Sequence, residues 1–145
     1  VLALAFLVVS SCGDGFVSGG SLDESSQAAR EALTDTVQAV VPGVSFDVDT
    51  SVNGGLCPPD GSVAADHWVR VVAPDEVEDL DSLVVEVRDY WADWWGLDGS
   101  DLWFRLNSDI SAVEVRLDYF KIEFSVFHEA RSIHVRAFTG CYASD

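Results

Sequence analysis

Basic residues are scarce in this chain. There are eight among 145 positions, and only Lys121 is a lysine. Against them stand 25 acids, for a net charge of −17. Such a surface repels nucleic-acid phosphates and anionic lipid headgroups, which argues against a nucleic-acid partner and against electrostatic adsorption to a membrane. Long apolar runs are lacking too. The longest, Val1 to Val9, is well short of the ~20 residues a bilayer span needs. Catalytic signatures are also missing: there is no G-x-S-x-G, and no cysteine has a second Cys or His at finger spacing. No internal repeat is visible. Hydrophobic residues are plentiful, at 48% with 11% aromatic, enough for one sizeable core and too many for a disordered chain. The length fits one domain plus a short leader.

"VLALAFLVVSSCGDG" opens the chain. Its apolar run has the length of a signal-peptide h-region, roughly 7–15 residues. It begins at Val1 with no basic residue before it, so we expect a signal peptide, residues 1–11, whose start is missing. Val9-Ser10-Ser11-Cys12 resembles the bacterial lipobox. That resemblance implies a diacylglycerol on the Cys12 thiol and cleavage just before it. Two acyl chains suffice for stable anchoring where one does not. Residues 12–20, rich in Gly and Ser, read as a flexible tether to a domain over 21–145.

With Cys12 lipidated, Cys57 and Cys141 remain as an even pair in an oxidising compartment, and we expect a Cys57–Cys141 disulfide. Along the domain, Ser21-Leu-Asp-Glu24 has the form of a capping box. Ala29, Leu33, Val37, Val40 and Val41 follow at helical spacing, up to Pro42-Gly43. "VSFDVDT" and "HWVRVVA" alternate as strands, with Cys57 on the turn-rich loop between them. Pro74-Asp75 starts a second helix, in which Leu80, Leu83, Val84, Val87, Trp91, Trp94 and Trp95 form the apolar stripe and Gly96 is the stop. "LWFRL" suits a short strand. From Ser111 the chain reads as strands. The alternation changes parity near Asp118-Tyr119, and a turn falls at Glu129–Ser132. The expectation is an α+β domain in the order α-β-β-α-β-β-β, with an antiparallel sheet of about five strands and two helices on one face.

Cys12, Cys57, the Trp91-to-Gly96 stretch and the closing "SIHVRAFTGC" together resemble small secreted lipoproteins of actinobacteria, most of unknown function. The likeness is one of architecture and spacing over nearly the whole chain. Thr139-Gly140 stands before the last Cys where such proteins often have Ser-Pro. The resemblance implies an extracytoplasmic, lipid-anchored protein and supplies no catalytic residues.

Several constellations could carry chemistry. Tyr90, Trp91, Trp94 and Trp95, with Trp103 and Phe104 nearby, gather too many rings for one buried face. Core packing accounts for most of them, and an exposed ring would form a binding surface. His67, His128 and His134 are expected at solvent-facing strand positions; the alternative is a metal or pH-sensitive pair of His128 and His134 with Glu129. Asp47 and Asp49 suit the wet face of a strand, or a carboxylate pair for acid/base work. Asp98-Gly-Ser-Asp101 suits a turn better than a calcium loop. No metal and no cofactor is expected. The function expected is a non-enzymatic binding or accessory role on the outer face of the cytoplasmic membrane, toward an envelope protein or small ligand. The alternative is an envelope-polymer hydrolase using paired carboxylates, which a cleft with two carboxylates about 5–9 Å apart would favour.

Overall fold

The computed structural model describes residues 20–55 and 57–143. Cys12, the leader 1–11 and the tether up to residue 19 lie outside the described residues. The chain folds as α+β. Helix α1 spans Leu22–Val40, strand β1 Asp49–Asn53, β2 Ser62–Val72 and helix α2 Leu80–Trp95. Strands β3 (Trp103–Arg105), β4 (Ile110–Arg116), β5 (Lys121–Phe127), β6 (Ser132–Phe138) and β7 (Tyr142–Ala143) follow. All pairings are antiparallel, in the order β1-β2-β6-β5-β4-β3, with β7 joining the start of β2.

Period-2 alternation gives this sheet two unlike faces. Val69 and Val71 of β2, Val113 and Val115 of β4, Ile122, Phe124 and Val126 of β5, and Ile133, Val135 and Ala137 of β6 all point one way. They form one core with Ala29, Leu33 and Val37 of α1 and Leu83, Val84, Val87 and Trp91 of α2. Both helices therefore cover the same face, and the opposite face is left open.

Local chemistry explains the helix ends. The Ser21–Glu24 capping box is formed, with bonds of 3.0 and 3.2 Å. Gly96 ends α2 in the left-handed region, at φ 63°, where a side chain is disfavoured. The start of α2 is a correction: it begins at Leu80, capped by Asp79, and not at Asp75. Arg131, itself left-handed at φ 50°, donates to the carbonyls of Pro74 and Val77 at 2.9 and 2.7 Å. That holds residues 74–77 in a turn (Val77 N to Pro74 O, 3.0 Å) ahead of the helix.

Two other expectations are corrected. The sheet has seven strands where about five were expected; the short strand read at "LWFRL" forms as the three-residue β3, and β7, with two residues, is shorter than the four to eight residues over which alternation can be read. The first strand starts at Asp49 and not at Val44. Val44, Phe46 and Val48 do alternate, and each is half-buried against the core, but they pair with no strand. The parity change near Asp118 is a tight turn, closed by Leu117 N to Phe120 O at 2.8 Å, which lets both Leu117 and Phe120 face inward. Cys57 and Cys141 are joined by a disulfide, which ties the β1–β2 loop to the chain's end across 84 residues.

Candidate functional site

The open face carries the unusual chemistry. Reading the ladder register across it gives one line, Asp49–Trp68–Arg136–Glu123–Glu114–Trp103, and beside it a second, Arg70–His134–Ser125–Ala112–Arg105. A third row holds Asp66, Phe138, Lys121 and Arg116. Five of the chain's eight bases therefore lie on this face, beside only four of its 25 acids. The face is close to neutral on a strongly acidic molecule. A groove of about 840 Å³ runs over it, lined by Trp68, Arg70, Glu123, Phe127, His134 and Arg136 and walled by the segment 45–47.

Two ion pairs lie on this face. Arg136 grips Asp66 with two parallel bonds of 2.9 and 2.8 Å, which raises the guanidinium pKa further above its ordinary value. Lys121 meets Glu114 at 3.2 Å. Arg70 is exposed and has no partner among the described residues. His134 lies against Phe127 with ring centroids 4.3 Å apart; desolvation, then the charge of Arg70, lowers its pKa. Glu123 is pushed the other way. Desolvation first, then the charge of Glu114 opposite it, raises its pKa above the ordinary carboxyl value.

A stability prediction follows with a definite sign. A folded-state pKa raised above the unfolded one makes Glu123 a stabilising group only below its ordinary value near 4.5, and that contribution is lost as pH rises through the folded value. At pH 7 the carboxylate is therefore a cost. Glu123→Gln should raise stability at pH 7 by a few tenths to about 1 kcal/mol, a figure kept small because the group is only half-buried. The gain should vanish near pH 4. Denaturant midpoints at the two pH values check this; a variant equally or less stable at pH 7 would show that the carboxylate carries no such cost.

The expected aromatic surface is redrawn. Trp91 is fully buried, at 0% exposure, and cannot belong to any surface. Tyr90, Trp94 and Trp95 are half-buried and packed on the core. Trp94 stacks on Trp95 at 4.7 Å, Tyr90 leans on Trp94 at 5.2 Å, and Trp95 meets Phe120 edge-on at 6.0 Å. The exposed tryptophans are Trp68, at 37%, and Trp103, at 48%. Trp68 was legible as a signal: in "HWVRVVA" it shares the parity of Arg70, opposite to Val69 and Val71.

The histidines are corrected as well. His67 is buried under α1, between Ser26 Oγ at Nε2 and Thr50 Oγ1 at Nδ1, both at 2.8 Å. Desolvation, then Arg30, lowers its pKa. No carboxylate orients the ring, so this Ser–His pair lacks a triad's third member and serves to pin α1 to the sheet. His128 and His134 are not neighbours: His134 is on the open face, and His128 meets Asp81 at 3.0 Å and Ser111 at 3.2 Å at the start of α2. Ser, His and Asp do converge there, but one nitrogen, Nε2, faces both partners. The Ser111 hydroxyl is buried and donates to Asp81 at 2.6 Å, so no relay to a nucleophile exists.

Asp47 and Asp49 sit at the groove's rim and do not share a ladder, since Asp47 precedes β1. Asp98 accepts from Ser100 at 2.8 and 2.6 Å, which lowers its pKa, and it caps a single turn of 3₁₀ helix, Gly99–Asp101. Among the described residues no group of three or more side chains is arranged to hold a metal ion, and no helix is long and apolar enough to cross a membrane. The chain matches no protein-family model, no curated protein and no solved structure to which it was compared.

Proposed function

We propose that this protein is an extracytoplasmic lipoprotein of the actinobacterial type, held by a diacylglycerol on Cys12 at the outer face of the cytoplasmic membrane. Its role is non-enzymatic, and its α+β domain binds an envelope ligand through the open sheet face. The observation that carries the reading is the concentration on one groove of an exposed Trp68, an unpaired Arg70 and a half-buried Glu123 with a raised pKa. The other 21 acids and three bases lie off this face.

One experiment with two arms tests this on the full chain. Cys12→Ala should move the protein from the membrane pellet to the soluble fraction. That soluble variant should bind soluble fragments of envelope polymer, and adding Arg70→Glu should weaken binding at least tenfold. Retention in the pellet overturns the anchor. Binding indifferent to Arg70→Glu overturns the sheet face.

A second reading has its own observation. Glu114 and Glu123 are direct cross-strand partners, which places their Cβ atoms about 4.5–5.5 Å apart. One has a raised pKa and the other is ion-paired to Lys121. Such asymmetry suits the acid and the nucleophile of a glycoside hydrolase. Turnover of the same fragments, abolished by Glu123→Gln, would favour hydrolysis over binding alone.

A further inference from the structure

We infer that the ligand of the open face is an uncharged oligosaccharide laid across the strands, stacked at its two ends on Trp68 and Trp103. This rests on the binding role proposed above and names its ligand class. Trp68, Arg136, Glu123, Glu114 and Trp103 occupy successive strands β2, β6, β5, β4 and β3 in one register line. Four strand spacings of about 4.8 Å set the backbones that carry the two rings roughly 19 Å apart. That is too far for one sugar and suits a short chain of them. Both rings are exposed, and the Arg105 guanidinium lies 5.2 Å from the Trp103 ring centre, backing it from the neighbouring row.

What lies between the rings fits hydroxyl groups. Glu114 and Arg136 are already paired, with Lys121 and Asp66, so their charges are compensated while lone pairs and N–H groups remain to bond. Near-neutrality gives no drive for a polyanion or a polycation. The sheet's twist, about 20–25° per strand, turns the two rings relative to each other. A rigid flat molecule cannot follow that turn; rigid rings joined by rotatable links can. A peptide would instead add to a sheet edge through its main chain, and would not cross the strands.

The test is amide and indole NMR titration of the full chain with the chito- and cello-oligosaccharide series from dimer to hexamer. At least one series should shift the indole signals of both Trp68 and Trp103. Its affinity should rise with length to about four sugars and then level. Trp68→Ala and Trp103→Ala should each weaken tetramer binding about tenfold. Trp103→Phe should retain most of it, because it keeps a ring. Both positions are exposed, so folding should survive, and circular dichroism checks that. A dimer bound as tightly as the tetramer, or Trp103→Ala without effect, overturns the line across the strands and leaves the binding face standing. Sugars that shift nothing, while the envelope fragments still bind in an Arg70-dependent way, overturn the ligand class alone. If neither binds, the role proposed for the face falls too.

Discussion

Trp91→Ala should destabilise the domain by about 3–5 kcal/mol, the range for truncating a large buried aromatic. Trp91 is the largest fully buried side chain. It sits where α2 crosses α1, and its indole N–H donates to Thr36 Oγ1 at 2.9 Å. Thr36 in turn donates to the Ala32 carbonyl at 2.7 Å, so neither buried polar group is unsatisfied. Alanine would open a cavity and leave Thr36 without its donor. Trp91→Phe should cost less, about 1–3 kcal/mol, because it fills most of the volume and loses the hydrogen bond. Urea midpoints of the three proteins measure both effects. Against a total stability of about 5–15 kcal/mol for a typical domain, the alanine variant should be close to unfolding at growth temperature. A loss below ~1 kcal/mol would mean that the helix–helix contact does not depend on this ring.

Removing the Cys57–Cys141 disulfide should cost a comparable amount. The bridge closes a loop of 84 residues, and chain entropy puts its worth at no more than about 4–5 kcal/mol. The elements it joins are weakly held otherwise. Strand β7 has only two residues, paired to Ser62 and Val63, and β1 is a five-residue edge strand with no buried residue, paired to β2. Cys57→Ser/Cys141→Ser should lower the urea midpoint without changing the open face, and should speed hydrogen exchange in β7 and the 54–61 loop first. Thiol counting of the oxidised domain should find neither Cys57 nor Cys141 free. Two free thiols, or a double variant as stable as the parent, would sink the prediction.

The elements legible in the sequence were those that announce themselves locally. The capping box at Ser21, the stripe of α2 and its Gly96 stop, the parity change at Asp118 and the pairing of two cysteines each depend on a few adjacent residues or on simple counting. Elements that depend on distant groups were misread. The start of α2 is set by Arg131, more than fifty residues away, which takes the carbonyls of Pro74 and Val77. The segment 44–48 alternates like a strand and packs on the core, but among the described residues no strand pairs with it. The candidate site suffered in the same way. Rings crowded in sequence at 90–95 drew the eye, although stacking on one another and on Phe120 half-buries them. Trp68 and Trp103 stand 35 residues apart, and only the strand order puts them on one line.

By itself, then, the sequence determined the composition of the core, the capping box of α1, the Gly96 stop of α2, the Cys57–Cys141 pairing and a strongly acidic net charge. It also supplied the whole case for the Cys12 anchor. The tertiary structure decided which side chains share a face. Strand order is a long-range property: it brought five bases onto one open sheet surface, set Glu123 against Glu114, and buried His67 and Trp91 under the helices. Charge, burial and pKa depend on those neighbours, and so the groove became visible only after folding.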